Sequence, residues 1–458
     1  MKNVYFALIV WLFVLPLNSN GQSAKLLFES KVPVSQMHKD IDKIHKDLKN
    51  HHPNVYLFIS KNNLKSSLDS LKQSIKSPLT RMQFRYVILT VLQKIGDGHL
   101  TLTLNGSKVS QQDASSYFGN DVLPVDQFNY RVIGNKLYFF NTHFPGHYTI
   151  EPGSEIVAIN DISAKEIIGR MINGLCSDGL NETFKYFTLN AVFGNIYANT
   201  FGRQDTLTFQ VKTNEGTQIL RAGKINGNSG RVLQNAFPAP YFRIVPDVNL
   251  AVLTLNSFEK NVPFNFPLWF KQIKVSQVGA LVLDLRNNKG GEQLSVTNLF
   301  SYLISKPTYF AKVPSAILND KSKTPSESMK FGITTMVDPA ENSFKGKIYL
   351  LINGGTFSAA AILAANLNLI NPNIIIVGEE SGGGRYGCTG GLFRTLDLAD
   401  TNLSLSYGQV PIKSLDNSEP IGRGVIPDIL TRYVIDDYIQ GRDLESDWVL
   451  NDLAKKKN

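Results

Sequence analysis

Four apolar runs in the second half of the chain, Leu250 to Leu255, Ala280 to Leu285, Ile348 to Ile352 and Ile374 to Val377, constrain its fold more than anything else in the sequence. Each run is continuous rather than alternating, as in strands buried on both faces, and helical stretches lie between them. Strand and helix in alternation predict an α/β domain. The third run continues as Lys347-Ile-Tyr-Leu-Leu-Ile-Asn-Gly-Gly-Thr-Phe-Ser-Ala-Ala-Ala361, so a strand enters Gly354-Gly355 and delivers Ser358 to the start of an Ala-rich helix. A tight glycine turn lifts a hydroxyl clear of the backbone, and a helix N-terminus offers N–H groups and a positive dipole end. A serine nucleophile needs that clearance and those donors. Taken by itself, the segment fits a serine that merely caps a helix at least as well.

The chain has 458 residues, enough for two or three domains, and a composition 43% hydrophobic and 19% charged excludes disordered and fibrous classes. Lys2 precedes an apolar run from Val4 to Leu17 and then polar and small residues through Ser23, the pattern of a secretory signal peptide over residues 1–22 with cleavage near Gly21 to Ser23. The run is short for a membrane span, no second apolar stretch of about 20 residues follows, and no cysteine marks a lipid anchor. An uncleaved N-terminal anchor is the competing reading. The expectation is an extracytoplasmic protein, periplasmic or secreted, without a stable membrane anchor. With only Cys176 and Cys388, the chain has no disulfide framework and no cysteine metal cluster, although one disulfide stays open. The net charge of +9 is scattered along the chain, and together with export it argues against a nucleic-acid partner.

Residues 30–104 read as a helical region, with Ile41, Ile44, Leu48, then Leu64, Leu68, Leu71, Ile75, then Phe84, Val87, Ile88, Val91, Leu92 at three- and four-residue spacings. Breaks fall at His52-Pro53-Asn54 and Ser77-Pro78. Residues 120–225 read as β-rich, with strands near Asn135 to Asn141, Glu155 to Ile159 and Asp205 to Lys212 and a helix near Ala164 to Met171. The stretch Pro152 to Asp161 with its following helix resembles the later part of a PDZ domain, a module that adds peptide ends to a sheet edge; a generic strand-turn-helix fits equally. Residues 245–440 form the expected α/β domain, and Asp436 to Asn458 read as a polar-faced helix.

A serine nucleophile needs a base, and the seven histidines divide unequally. His38 and His45 share a charged amphipathic helix, and His51 and His52 sit at its end, where a structural role fits the dipole. His143 and His147 flank Phe-Pro-Gly, which cannot set two ligands on one helical face. His99, in Gly96-Asp-Gly-His-Leu100, stands at a glycine-flanked junction between the last helix and an alternating strand, Thr101 to Leu104, that can aim an imidazole out of a domain boundary. A satisfied structural histidine fits that junction too.

Five motifs now stand in order: Gly96-Asp-Gly-His99, Leu281 to Gly291, Asn353 to Ala361, Gly378-Glu-Glu-Ser-Gly-Gly-Gly384 and Gly424-Val-Ile-Pro-Asp428. Together they resemble the serine peptidases related to C-terminal (tail-specific) processing proteases and the tricorn core protease. The resemblance implies a crotonase/Clp-protease-like β/α spiral core beside the helical region and the PDZ-like β-rich domain. It implies Ser358 as nucleophile and His99 as general base of the tricorn-like branch. It also implies an oxyanion hole formed by the Ala359 amide with that of Gly290 or Gly291. In the tail-specific branch a lysine base follows the glycine-rich turn; the matching position here is Gly384, and Arg385 beside it is too basic to accept a proton. The tricorn-like branch keeps a serine before its histidine, whereas this chain has Gly98. It orients the histidine with a glutamate, for which Glu419 is the expected match at an offset of about two residues, with Asp416 and Asp97 as rivals. Glu379 and Glu380 are assigned to the turn before Gly382 to Gly384.

The expected function is hydrolysis of peptide or protein substrates through a Ser-His acyl-enzyme mechanism, with no cofactor and no metal required by any motif. Gly382 to Arg385 lacks the residues of a P-loop. The alternative is a non-catalytic binding protein of the same fold, taking a lipophilic ligand or a peptide, since fold alone does not fix function.

Overall fold

The apolar runs become the central sheet. The computed structural model describes residues 29–105, 121–143, 148, 150–213, 216–226, 238–319, 330–416 and 418–455; the expected signal peptide, and His147 of the His143–His147 pair, lie outside them. Helices and strands are numbered here in chain order. Helices α1 (Val34–His51), α2 (Lys61–Ser74) and α3 (Arg81–Leu92) come first, followed by strand β1 (Thr101–Leu104). The middle of the chain holds β2 (Phe128–Ile133), β3 (Lys136–Thr142), β4 (Glu155–Ile159), α4 (Ala164–Asn173), α5 (Thr183–Ala191), α6 (Phe193–Phe201), β5 (Thr206–Thr213) and β6 (Gly216–Gly223). The remainder contains β7 (Tyr241–Val245), β8 (Leu250–Thr254), α7 (Phe266–Val275), β9 (Ala280–Asp284), α8 (Gln293–Ser301), β10 (Lys347–Ile352), α9 (Ala359–Ile370), β11 (Ile374–Gly378), β12 (Gly387–Leu398), β13 (Leu403–Lys413), β14 (Ile429–Leu430) and α10 (Leu444–Lys455).

The main sheet runs β7-β8-β9-β10-β11-β14, parallel except for β7 at one edge, with Leu253, Leu283, Leu350 and Ile376 side by side. Leu281, Leu283, Ile348, Leu350 and Ile352 point into the largest core, beneath α7, α8 and α9. Ala280, Val282, Tyr349, Leu351 and Val377 point the other way, where Trp448, Val449 and Leu453 of α10 cover them. The continuous runs follow from this, because both faces are dry. Removing a buried leucine such as Leu350 from such a sheet costs about 2–5 kcal/mol. The C-terminal segment read as a polar-faced helix thus has an inner face that closes the sheet.

Helices α1 to α3 pack their periodic apolar faces together, but their core is shared with Leu100 and Leu102 of the β1 region and with Leu403, Leu405 and Tyr407 of β13. Ser60 caps α2 by accepting the Asn63 amide, and Thr80 with Gln83 forms a capping box on α3. Strand β1 pairs antiparallel with β13, Leu102 opposite Leu405, in a sheet ordered β12-β13-β1. The helical region is therefore welded to the last third of the chain. The middle region is an antiparallel sheet ordered β6-β5-β4-β3-β2, covered by α4, α5 and α6; Phe128, Tyr130 and Val132 alternate inward along β2. Of these covering helices, α4 follows the sequence reading, while α5 and α6 carried no signal strong enough to place them.

Candidate active site

The turn after β10 is built by hydrogen bonds to the loop after β9. Asn353 Oδ1 accepts the amides of Gly355 and Asn287, both at 2.9 Å. Thr356 Oγ1 donates to Leu285 O at 2.8 Å, and the Phe357 amide donates to Asn288 O at 3.0 Å. Glycines are required here by space: a Cβ at Gly354 would lie 2.3 Å from Thr183 O, and one at Gly355 would lie 2.6 Å from the Phe187 ring. The turn ends with Ser358 at φ 53° and ψ −126°, just before α9. That left-handed conformation costs a non-glycine residue about 1–3 kcal/mol and persists only where surrounding contacts hold it, as at a displayed nucleophile.

His99 Nε2 lies 3.1 Å from Ser358 Oγ, across 259 residues of sequence. The imidazole packs against Phe357 with centroids 4.6 Å apart, and Phe357 in turn stacks on Phe184 at 4.3 Å. Burial among these rings pushes the His99 pKa below its usual 6.5, and the charge of Asp97 opposes the shift in part. His99 is therefore neutral at neutral pH, as a proton acceptor must be.

The carboxylate beside His99 is Asp97. Its Oδ1 accepts the His99 amide at 2.8 Å and lies 3.9 Å from His99 Nδ1. Glu419 is exposed, and its carboxylate accepts the Ile421 amide at 3.1 Å within its own loop. Asp416 is buried in that loop too, accepting the Ser418 amide at 2.8 Å with Arg385 Nε 3.6 Å away. Arg385 is bonded to this loop through Ser418 O and Pro420 O. Glu380 binds Arg423 and the Gly424 amide beside the glycine-rich turn.

Gly98 explains the missing auxiliary serine. A Cβ there would stand 2.7 Å from the Phe357 ring and 3.0 Å from Asp178 Oδ1, so no side chain fits. Asp178 accepts the Gly98 amide at 2.8 Å and the Gly384 amide at 3.0 Å. Its carboxyl is pushed up to about 7, first by burial and then by the charge of Asp97. At Gly384, where the tail-specific branch carries lysine, a Cβ would lie 2.5 Å from the Tyr386 ring.

Two glycines were expected to share the oxyanion role with Ala359, and they differ. Gly290, at φ 91°, brings its α-carbon against Ser358: a Cβ there would be 2.8 Å from the Ala359 amide nitrogen. Its own N–H, however, donates to Asn288 Oδ1 at 2.9 Å. Among the described residues, no hydrogen bond is formed by the Gly291 N–H, and none leaves the first amide of α9, at Ala359, for another backbone group outside the helix.

Sequence reasoning missed Asp178, whose loop carries no motif, and His52, which was assigned to a helix end. His52 Nε2 is 2.8 Å from Asp97 Oδ2. Among the described residues, Asp97, His99 and Asp178 are the group close enough to share a cation, with ligand atoms within 4.8 Å of one another. Their carboxylate oxygens already accept from Gly98, Gly384, His99 and His52, an arrangement that aims hydrogen bonds rather than opening a cage. Cys176 and Cys388 are both free thiols, so the disulfide left open by the sequence is not formed.

With this geometry in place, comparison with known proteins is direct. Residues 249–431 match the model of peptidase family S41. Mature CPAF complexed with lactacystin is similar over 92% of this chain and 98% of its own, at 14% identity and a TM-score of 0.63. Mature CPAF alone is similar over 89% and 94%, at 14% identity and 0.60. The photosystem II D1 C-terminal processing protease aligns more loosely, over 86% and 93% at 15% identity and a TM-score of 0.43. No curated protein matches the sequence. The CPAF likeness shows a shared mixed α/β fold, and residues 249–431 carry a peptidase family S41 domain, so the chain is a serine-type peptidase.

Proposed function

We propose that this peptidase cleaves its peptide or protein substrates by acyl transfer through Ser358, with His99 as the general base, outside the cytoplasm. The observation that carries the reading is the 3.1 Å approach of His99 Nε2 to Ser358 Oγ. Neutral His99 carries its proton on Nδ1, which faces Asp97, and Nε2 takes the Ser358 proton as Oγ attacks the substrate carbonyl. The tetrahedral oxyanion is held by the amides of Ala359 and Gly291, and Gly290 brings the loop close enough to reach it. Each such donor accounts for about 10²–10³-fold in kcat. The imidazolium then protonates the leaving amine, and water repeats the sequence to release the acyl group. Asp97 faces the imidazolium as it forms and offsets its charge in a dry site. The export signal of residues 1–22 supports an extracytoplasmic site of action.

A fluorophosphonate probe tests the mechanism. Wild-type protein takes the label, Ser358→Ala takes none, and His99→Ala takes it slowly. Label retained in Ser358→Ala, or an unchanged rate in His99→Ala, removes the assignment. The N-terminus of the protein recovered from the producing cell tests the address, with cleavage expected near Gly21 to Ser23.

A further inference from the structure

One buried imidazole is left without a task by this mechanism. His52 follows α1 as its C-cap, with its amide bonded to Leu48 O at 3.0 Å and its side chain 0% exposed. Both ring nitrogens of a buried histidine need partners, and the partners reveal the tautomer. Nδ1 accepts the Asn54 amide at 3.2 Å. A backbone N–H can only donate, so the ring proton is on Nε2, which donates to Asp97 Oδ2 at 2.8 Å. The other oxygen of Asp97 holds the His99 amide at 2.8 Å. His52 is thus bonded to Asp97 and Asp97 to the backbone of His99, whose ring faces Ser358 Oγ with Nδ1 3.9 Å from Asp97 Oδ1.

We infer that His52 is a positioning residue for the peptidase reaction: its Nε2–H fixes the Asp97 carboxylate, and through it the loop and ring of His99, within reach of Ser358. The inference rests on the Ser358–His99 reading above. Three features make His52 a rigid support. The end of α1 is pinned to the β12–β13 hairpin, where Arg394 Nε donates to Asp47 Oδ1 at 3.0 Å and Tyr407 donates to Asp47 Oδ2. The Tyr407 ring also sits 5.1 Å from the His52 ring. Asp97 is buried, and among the described residues His52 is the side chain that donates to it. The other titratable groups that face Asp97 and His99 are Asp178, Cys176, Cys388 and Tyr386, and none of them brings a positive charge. Without the His52 donor, nothing compensates the Asp97 carboxylate on that side, and its grip on the His99 loop is released.

His52→Gln, His52→Asn and His52→Leu test the inference. Glutamine carries an amide N–H at the reach of Nε2, whereas asparagine is polar but too short. Expected for Gln is a kcat within about threefold of wild type, and for Asn and Leu a kcat lower by about 10- to 100-fold with KM unchanged. The acid limb of kcat/KM should stay in place for Gln. For Asn and Leu it should move to lower pH, because the charge that supports the His99 proton is no longer held beside it. Rates are taken per folded molecule, measured by near-ultraviolet circular dichroism. Equal behaviour of Gln and Asn, or wild-type kcat and an unmoved limb in Asn or Leu, overturns the inference. So does failure of the Asn variant to fold, which makes His52 a structural residue. Ser358→Ala and His99→Ala are run alongside: activity in either brings down the underlying mechanism, whereas their loss beside an unaffected His52→Asn brings down only the role of His52.

Discussion

Gly98→Ser restores the residue that the tricorn-like branch places before its histidine, and it is expected to damage this enzyme. The new Cβ would lie 2.7 Å from Cε2 of Phe357, nearer than real Cβ contacts allow, and 3.0 Å from Asp178 Oδ1. Phe357 has little room to retreat, since it stacks on Phe184 at 4.3 Å and packs on His99 at 4.6 Å. Relief must come from the Gly98–His99 backbone or from that aromatic stack. Overpacking of this kind costs about 1–3 kcal/mol, and a displacement of order 1 Å between base and nucleophile lowers the rate about 100-fold. The assay is kcat/KM on a fluorogenic peptide, with the fluorophosphonate labelling rate as a measure that does not depend on substrate binding and a thermal melt to follow stability. Both rates should fall together, with a lower melting temperature. The double variant Gly98→Ser with Phe357→Leu, which removes the clashing ring atoms, should recover stability relative to Gly98→Ser. A Gly98→Ser enzyme that labels and turns over like wild type refutes the packing argument.

Two other outcomes follow from the site. Burial holds the His99 pKa below 6.5, so the basic form persists at pH 6.5 and activity is lost only as the pH falls through that lowered value; a kcat/KM acid limb centred above 6.5 contradicts this. Glu419→Gln is expected to keep kcat/KM within about twofold, because the carboxylate is exposed and bonded within its own loop, and a loss of about 100-fold would reinstate it as the residue behind the histidine.

The strands of the main sheet were legible because burial on two faces leaves an unbroken signal: Ala280 to Leu285 and Ile374 to Val377 in the sequence appear as Ala280–Asp284 and Ile374–Gly378. The helical periodicity of residues 34–92 was equally plain, since each helix shows one apolar face. What those faces pack against was not, because Leu403, Leu405 and Tyr407 lie far along the chain. The site divides in the same way. Ser358 and His99 each stand at a glycine-marked junction, a local signal, and the structure sets them 3.1 Å apart. Asp97 was legible as part of the Gly96-to-His99 motif, whereas His52 and Asp178 carry no local pattern: their places depend on tertiary hydrogen bonds, His52 to Asp97 and Asp178 to Gly98 and Gly384. Glu419 was read from a motif offset along the chain; its carboxylate is bonded within its own loop, which Arg385 holds through Ser418 O and Pro420 O.

The pairing of β1 with β13 also has a consequence in time. The imidazole follows a helix made early in synthesis, whereas the strand that receives β1 is made some 300 residues later, Leu102 waiting for Leu405. Until that strand arrives, the junction bearing His99 has no floor, and nothing fixes its approach to Ser358. The β1–β13 pair thus joins segments some 300 residues apart, and the His99 junction acquires its floor only once the last third of the chain has been made.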